Sequence, residues 1–570
     1  VKKKNNKQRF ILDCRQINQL FRKPYKPELA AAENLQRLQS PKGATIYEAE
    51  ADLENCFFQV SAETWMQSYF CFDIKLPGSW FKQHGVHMCS DGHDLVNNML
   101  YAPCFLVLPM GFSWSFWIVQ EMVGHIMGLA GVNQDQVLVS NWPAPSFANG
   151  VIANPYCDNL NFFGTNAKEV NATLDKVMKK FSELGFSLHE VSWASPKATP
   201  LGCTFDGDRH VVGPKNGKLA LLIGACKWMT PGRLVSGKVV EALLGHFTHE
   251  ALYNRGIMAT FKAAYIFIRD VGSNKRALWA SVSREFLIAG GLLPLARSRL
   301  DLPWCSRIRC SDASAYGWGC CSAEVSASEA ELHGQWDERW RFRRLRPDEW
   351  APRRRALVGP ESFSVISDPR SFGDQLYSLY DEEAQFLGPV PSERAYAHHE
   401  GFPEMPDVKS WDWRVTRFGR FLFKEGITTK EGRAALWDIE LMCRDPSNHE
   451  SHHLHLEDNF GLSLCFQKGR ATDLALLQLC RKKGALSLAC GIVLHHRWFP
   501  SEANPADEPS RRFDNCTTEQ QPLYEARHRS AETSRSQRSV KQLKAAMPQY
   551  AVTDVIVDTK SGIAKIVTAG

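Results

Sequence analysis

Apolar residues recur at three- and four-residue intervals along 166–184, a spacing that predicts an amphipathic helix. The residues expected on its buried face are Val170, Leu174, Val177, Met178, Phe181 and Leu184. Asn166 with Glu169 gives a capping-box-like start, and Gly185 ends the helix. The pattern predicts packing across a sheet and assigns no chemistry to the helix.

Two segments have the pattern of a strand, a tight turn and a second strand. Apolar residues flank the turn YCDN, 156–159, on both sides, which predicts a hairpin with Asp158 at its tip. In RCSDASAYGWGCCS, 309–322, Asp312 ends a short strand and is followed by small residues and two glycines. Both patterns place a carboxylate where a strand ends.

Asp52, in ADLENCFFQV, stands at the end of another apolar strand. Together with Asp158 it supplies the two carboxylates that two-metal phosphoryl chemistry requires as a minimum. Carboxylate oxygens are preferred ligands of hard divalent cations. The turn alone is weak evidence, because Asx residues favour turns for purely local reasons.

Five motifs in order resemble the reverse transcriptases of retroelements. They are RFILDCRQIN (9–18), DLENCFF (52–58), LPMGFSWSFWIVQ (108–120), YCDN (156–159), and GFSLHE (185–190) followed by Leu201-Gly202. The resemblance implies a right-hand polymerase with fingers, palm and thumb, and a fingers strand at 9–18. It also implies RNA-directed DNA synthesis, with Mg²⁺ or Mn²⁺, two per active site, bound by Asp52, Asp158 and Asn159.

The resemblance further implies a nucleotide-binding site. Its expected residues are Lys7, Arg9, Phe57, Met110, Gly111 and Tyr156. Arg9 can bind a triphosphate bidentately. Phe57 matches the bulky residue that excludes ribonucleotides, so the product would be DNA. Gly111 has no Cβ and lets the backbone approach a nucleotide closely.

The chain departs from the family pattern at two places. Asn159 stands where most relatives carry a second aspartate, so the metal held there should bind more weakly. The fourth motif has no lysine at the expected proton-donor position, and His189 is a candidate substitute. These departures keep an alternative hypothesis open: a decayed or domesticated copy that binds nucleic acid with little or no polymerase activity.

The second half of the chain resembles an RNase H region. Its candidate metal-binding carboxylates are Asp312, Glu431, Asp458 and Asp507. The run WFPSEANPADEPSRR resembles the NPADxxSR ending of DIRS-like and related retroelements. Four like charges cannot lie together without cations, so the cluster itself favours a two-metal site for phosphodiester hydrolysis. Glu440 lies on the same predicted helix as Glu431 and is the alternative ligand.

A long Arg-rich insertion, about 323–410, separates the first two of these carboxylates. Its segment 339–355 interleaves arginine with tryptophan and phenylalanine, which suits a nucleic-acid contact. Packing of these aromatics on the domain explains the same pattern. Both interpretations stay open at this point.

Composition sets limits on the class of protein. With 570 residues and 44% hydrophobic content, the chain is expected to form several domains with packed cores. The net charge of +6 places nucleic-acid binding on local basic grooves. Scattered cysteines, 17 in all, favour reduced thiols and an intracellular location, in cytoplasm or nucleus, without secretion. No apolar run predicts a membrane span.

The sequence therefore predicts a multidomain α/β protein, a right-hand polymerase followed by an RNase H-like α/β domain. The expected domains are fingers and palm (1–215), a mainly helical thumb or connection (216–300), an RNase H-like domain (301–515) and a flexible tail (516–570). The expected partners are an RNA template, a DNA primer, an RNA–DNA hybrid and dNTPs. Other products of a retroelement polyprotein are further candidate partners. Because the chain begins with Val inside a motif, we expect it to be a piece of a longer polyprotein. A nuclease that uses the polymerase half only to bind hybrid is a second alternative.

Overall fold

The computed structural model describes most of the chain: residues 11–22, 24, 25, 27–89, 92–344, 396–406, 408–422, 424–514, 552–558 and 563–568. Lys7 and Arg9 lie outside the described residues, as do residues 345–355 of the Arg-rich segment. The chain divides into two units. The first contains Val1–His210 and Phe342–His399, and the second contains Val211–Arg341 and Glu400–Gly570.

The first unit is built on a four-stranded antiparallel sheet. Its helices are α1 (Arg15–Asn18), α2 (Thr64–Gln67), α3 (Gly78–Gln83), α4 (Ser115–Leu129) and α5 (Ala167–Glu183). Its strands are β1 (Tyr47–Leu53), β2 (Leu76–Pro77), β3 (Leu100–Tyr101), β4 (Ile152–Tyr156), β5 (Asn159–Gly164), β6 (Leu188–Ser195), β7 (Lys197–Ala198), β8 (Cys203–Asp206) and, later in the chain, β15 (Phe342–Arg344) and β16 (Tyr396–His398). The central sheet has the order β4-β5-β1-β6.

Helix α5 packs on this sheet as its periodicity predicts. The side chains that it buries completely are Val170, Leu174, Val177 and Phe181. Leu184 differs from the expectation because it lies just past the helix and is half exposed. Asn166 accepts a hydrogen bond from the Lys168 amide at 3.0 Å and donates one to Glu169 at 3.0 Å, so the expected cap is present.

The fingers strand expected over 9–18 is not observed: within 11–18 the chain is irregular and then forms α1. A helical turn places Cys14 and Asn18 on the same side, since the Asn18 amide donates to the Cys14 carbonyl at 2.8 Å. Cys14 can then pack in the core beside Phe112. These tertiary contacts outweigh the extended conformation that the motif suggests.

The cysteines of the described residues are free apart from one pair, Cys71 and Cys104, which form a disulfide. The expectation of reduced thiols fails at this pair because the two residues face each other in an isolated antiparallel bridge.

The second unit contains a five-stranded mixed sheet. Its helices are α6 (Asn216–Trp228), α7 (Gly237–Ala251), α8 (Ala263–Val271), α9 (Ala280–Leu292), α10 (Ala327–Gly334), α11 (Ile427–Cys443), α12 (Phe460–Lys468), α13 (Leu474–Cys490) and α14 (Asp507–Arg511). Its strands are β9 (Val211–Pro214), β10 (Leu234–Ser236), β11 (Lys275–Ala277), β12 (Ser298–Arg299), β13 (Arg307–Ala313), β14 (Gly317–Glu324), β17 (Arg414–Arg420), β18 (His452–Glu457), β19 (Val493–Trp498), β20 (Val552–Asp558) and β21 (Ile563–Thr568).

The sheet has the order β17-β14-β13-β18-β19. The first three strands pair antiparallel, whereas β13, β18 and β19 run parallel. Parallel neighbours need crossover connections, which α11 and α13 provide. The expected α/β multidomain fold class is confirmed, and the RNase H-like assignment of this sheet stays a prediction.

Residues 217–300 are mainly helical, as predicted, and they pack on α13 of the same unit. The Arg481 guanidinium donates to the carbonyls of Ala259 and Thr260 at 2.8 and 2.9 Å. A Cβ at Gly484 would lie 2.1 Å from the Gly256 carbonyl oxygen, so this contact requires glycine.

The segment predicted as a flexible tail contains an antiparallel pair, β20 with β21. Residues 515–551 lie outside the described part of the chain. Among the described helices, none is both long enough and apolar enough to cross a membrane.

Candidate active sites

Strand pairing brings the polymerase motifs of the first unit together. Asp52 near the end of β1 lies opposite Asn159 on β5 and opposite His189 on β6. The Leu53 amide donates to the Asp158 carbonyl at 2.9 Å, which extends the ladder to the turn. Asp52 and Asp158, 106 residues apart in sequence, thus present their side chains at one end of the sheet.

The turn that carries Asp158 is held from below by Gln120 of α4. Its amide oxygen accepts from the Cys157 amide at 2.7 Å, and its Nε2 donates to the Pro155 carbonyl at 3.2 Å. Cys157 has a φ of 55°, a left-handed conformation that costs free energy unless neighbouring contacts impose it. Gln120 is buried and supplies those contacts. Sequence analysis had no means to single it out within its apolar helix.

The electrostatics of this end favour cations. Burial raises the pKa of Asp52, and the nearby Asp158 carboxylate raises it further, while the hydrogen bond from His189 opposes both effects. Asn159 donates to the Asp158 Oδ1 at 3.1 Å. Two neighbouring carboxylates are a fitting donor set for hard divalent ions.

His189, the candidate proton donor, contacts Asp52 instead of open solvent. Its Nε2 lies 2.7 Å from Asp52 Oδ1, and both side chains are partly exposed. It therefore orients a carboxylate predicted to bind metal. Its role as a proton donor stays a prediction.

Gly111 is required by a contact within the chain, and its expected close approach to a nucleotide stays a prediction. Its φ is +114°, and a Cβ would lie 2.7 Å from the Leu12 carbonyl oxygen of the chain itself. Asn18 fixes the same loop, because its Nδ2 donates to the Gly111 carbonyl at 3.0 Å and its Oδ1 accepts from the Ser113 amide at 2.8 Å. Asn18 is a loop-positioning residue that the motif contained but did not identify.

We expect Gly111→Ala to destabilise the first unit by about 1–3 kcal/mol, because alanine rarely adopts this φ and would collide with Leu12. Gly124→Ala is the matched control, since Gly124 lies in α4 with open space at its Cβ position. Alanine there should stabilise by about 0.5–1 kcal/mol. Thermal denaturation of both variants measures the difference, and equal melting temperatures would contradict the assignment.

Phe57, Met110 and Tyr156 are the further predicted nucleotide-site residues that the structure describes. Phe57 and Tyr156 are half buried and pack against the core that contains β1 and β5. Tyr156 also makes an edge-to-face contact with Phe116, with ring centroids 5.9 Å apart. Met110 is half buried directly before Gly111. Their contact with a nucleotide stays a prediction.

The second unit brings its predicted carboxylates together at one end of the central strands of the mixed sheet. Arg309 and Cys310 on β13 pair with His455 and Leu456 on β18, and the parallel register carries Asp312 and Asp458 to the same end. Glu431 lies in the first turns of α11, and Asp507 begins α14.

Burial and nearby carboxylates raise the pKa values of Asp312 and Glu431. Burial raises the pKa of Asp312 to about 6, with added contributions from Asp458 and Asp507. Burial also raises the pKa of Glu431 to about 7, and Asp458 and Asp312 contribute. The Glu431 Oε2 is buried and has no hydrogen-bond partner among the described residues. Such a donor set fits divalent cations, which would relieve the repulsion.

Two polar residues hold these carboxylates and were missed from the sequence. Ser510 donates to Asp312 Oδ2 at 2.5 Å, and Asn504 donates to Asp458 Oδ2 at 3.1 Å. Both lie in the segment NPADEPSR, whose resemblance pointed only to Asp507. Glu440, the alternative to Glu431, pairs with Lys482, and no described contact joins it to the other carboxylates.

The Arg-rich segment is partly an internal support of this domain. Glu338 pairs with Arg341 at 2.5 Å and with Arg497 at 2.6 Å, and all three side chains are buried. Arg341 is therefore a packing residue and is not accessible to nucleic acid. For 345–355 both earlier interpretations stay predictions, because these residues lie outside the described structure.

The raised pKa of Glu431 predicts a pH-dependent stability without metal. Glu431 has a folded-state pKa of about 7, above its ordinary value of 4.5. Its contribution to the free energy of unfolding is therefore fully present below pH 4.5 and is lost as the pH rises through about 7. In the presence of a chelator, the free energy of unfolding of Glu431→Gln should rise by about 2 kcal/mol relative to that of the parent between pH 5 and pH 8. Denaturant unfolding at both pH values measures the change. Saturating Mg²⁺ at pH 8 should restore the parent, and a pH-independent difference would contradict the expectation.

Comparison with known proteins gives a family match within the first unit. Residues 1–191 match the family described as reverse transcriptase (RNA-dependent DNA polymerase). The chain thus contains a reverse transcriptase domain. It is 28% identical over 219 residues to the Gag-Pro-Pol polyprotein of Human T-cell leukemia virus 3 (strain Pyl43), which covers 38% of this chain and 12% of that relative.

Among solved structures, the foamy viral protease-reverse transcriptase is similar at low identity. Its complex with RNA/DNA hybrid has a TM-score of 0.35 at 12% identity, covering 89% of this chain and 72% of that one. Its complex with dsDNA has a TM-score of 0.37 at 15% identity, covering 71% and 77%. Since the chain spans only 12% of the curated relative, a DIRS-like affiliation and an RNase H activity stay predictions.

Proposed function

We propose that this chain is a retroelement reverse transcriptase that couples RNA-directed DNA synthesis to RNase H cleavage of RNA–DNA hybrids. The observation that carries the first activity is the convergence of Asp52 and Asp158 on paired strands of a domain that matches the reverse transcriptase family. The second activity is supported by the four carboxylates at one end of the central strands of the RNase H-like sheet.

Asp52, Asp158 and Asn159 would hold Mg²⁺ or Mn²⁺ in the polymerase site, and Asp312, Glu431, Asp458 and Asp507 would hold the ions of the nuclease site. When bound, such ions lower the pKa of a hydroxyl or water and neutralise charge on the leaving oxygen. Other residues of the chain orient these ligands. His189 contacts Asp52, and Gln120 binds the turn that carries Asp158. Ser510 donates a hydrogen bond to Asp312.

The substrates follow from the two activities: dNTPs, a primer, an RNA template and the hybrid that copying produces. Removal of RNA from the hybrid frees the new strand for further copying. The direct test is Mg²⁺-dependent extension of a DNA primer on an RNA template by the purified chain, followed by cleavage of labelled RNA in the hybrid. No extension by well-folded protein would favour the decayed-copy alternative, and cleavage without extension would favour the nuclease alone.

Asn159→Asp should lower the Mg²⁺ concentration needed for half-maximal extension by roughly tenfold, because one added unit charge near a divalent ion contributes about 1 kcal/mol or more even at high dielectric. Asn159→Ala is the control in the opposite direction, since it removes the oxygen ligand and should raise the requirement. A magnesium titration of primer extension orders the three proteins. An unchanged requirement in both variants would exclude Asn159 from metal binding.

A further inference from the structure

A second polar cluster lies on the helix-covered side of the RNase H-like sheet, apart from the four carboxylates. His455 on β18 pairs with His496 on β19, and Glu457 follows two residues later on the same side of β18. All three side chains are at least 98% buried. Their potential ligand atoms lie within 4.8 Å of one another. Strands of this kind usually turn apolar side chains towards covering helices.

The cluster leaves several buried polar atoms without a hydrogen-bond partner among the described residues. These atoms are both ring nitrogens of His455, Nε2 of His496 and Oε2 of Glu457. His496 Nδ1 approaches Glu457 Oε1 at 2.7 Å, and His455 Nδ1 lies 3.5 Å from the same oxygen. Buried polar atoms nearly always have partners, so the arrangement indicates a bound species that contacts one ligand atom of each of the three residues.

Two imidazoles and one carboxylate are the donor set that zinc prefers when its ligands are nitrogen and oxygen. We propose that His455, Glu457 and His496 bind one zinc ion inside the RNase H-like domain. The ion joins β18 to β19 directly beneath the end that carries Asp458. It is a structural ion, since all three ligands are shielded from solvent.

The surroundings of the cluster have the features of an outer coordination layer. Asp438 of α11 is completely buried, and its Oδ2 lies 3.7 Å from His455 Nε2. Arg309 neutralises the other oxygen of Asp438 at 3.1 Å. A carboxylate behind a histidine ligand fixes the ring orientation and makes the histidine a better donor. Phe466 of α12 lies against the His496 ring, with centroids 5.3 Å apart, and closes the site with an apolar wall.

The test is the zinc content of the full chain, purified without a histidine tag and dialysed against metal-free buffer. Asp52→Asn/Asp312→Asn serves as the background protein, so that the two catalytic sites contribute little zinc. We expect one zinc per chain by mass spectrometry of the metals, and a loss of at least about tenfold in His455→Gln and His496→Gln. His495→Gln is the matched control: it is the neighbour of His496, and its ring contacts Trp304 and His452 instead. It should retain the zinc.

A second measurement does not depend on the folding of any histidine variant. Cobalt(II) added to the stripped background protein should bind one ion per chain and produce the strong visible absorption of a tetrahedral site with imidazole ligands. Zinc should then displace it. Zinc-free background protein that also takes up no cobalt would overturn the proposal and assign the unpartnered atoms to buried water. Equal zinc in His496→Gln and the background would overturn it as well.

Discussion

Asp158→Ala is expected to reduce primer extension on an RNA template by at least about 10³-fold, while the folded state persists. The loss follows because Asp52 and Asp158 are the two aspartates among the described residues at this end of the β4-β5-β1-β6 sheet, and Asn159 cannot replace the charge of Asp158. The side chain is half exposed at a turn, so its removal leaves the core that surrounds α5 intact.

Rates of extension by parent and variant at saturating Mg²⁺ measure the effect, and circular dichroism checks the fold. Asp135→Ala is a suitable control, because Asp135 is an exposed residue of the same unit whose backbone amide, which alanine retains, donates to Asn133 Oδ1. The control should extend the primer at the parental rate. Residual extension by Asp158→Ala within tenfold of the parent would remove Asp158 from the catalytic set.

Glu431→Gln is expected to reduce cleavage of RNA in a hybrid by at least about 10²-fold, whereas Glu440→Gln should leave it within twofold of the parent. The two glutamates occupy the same helix, but Glu431 couples electrostatically to Asp458 and Asp312, and Glu440 pairs with Lys482. Each variant loses one charge at nearly constant volume, so the pair separates position from charge.

Cleavage of end-labelled RNA in a hybrid gives the rates, and primer extension by the same preparations serves as the internal reference. Extension should be equal in all three proteins, because Asp52 and Asp158 are unchanged. Greater loss in Glu440→Gln than in Glu431→Gln would reverse the ligand assignment. Equal cleavage by all three would remove both glutamates from the site.

Local patterns predicted the elements of this fold well, because their information lies within a few neighbouring residues. The helix after the YCDN hairpin and the hairpin that carries Asp312 are present as expected. The expected strand at 9–18 failed since Cys14 and Asn18 make contacts with residues near Gly111 that no local pattern encodes.

The same difference between local patterns and long-range contacts applies to the candidate sites. Carboxylates at the ends of strands could be selected from sequence, because motif order and turn chemistry mark them. Their supports could not, since Gln120 and Ser510 contact residues that lie 37 and 198 positions away in the sequence. The contact of His189 with Asp52 likewise depends on the pairing of β1 with β6, which sequence alone does not determine.

The buried charges around Glu338 have a consequence for the length of the insertion. Arg341 lies 5.0 Å from the ring of Phe402, and Arg497 donates to the Pro403 carbonyl at 2.8 Å, so the residues of the second unit that flank segment 342–399 are neighbours. The free energy of closing such a loop grows only slowly with its length. A change in the length of the intervening segment should therefore cost the second unit little free energy of loop closure, and its sheet need not change with it.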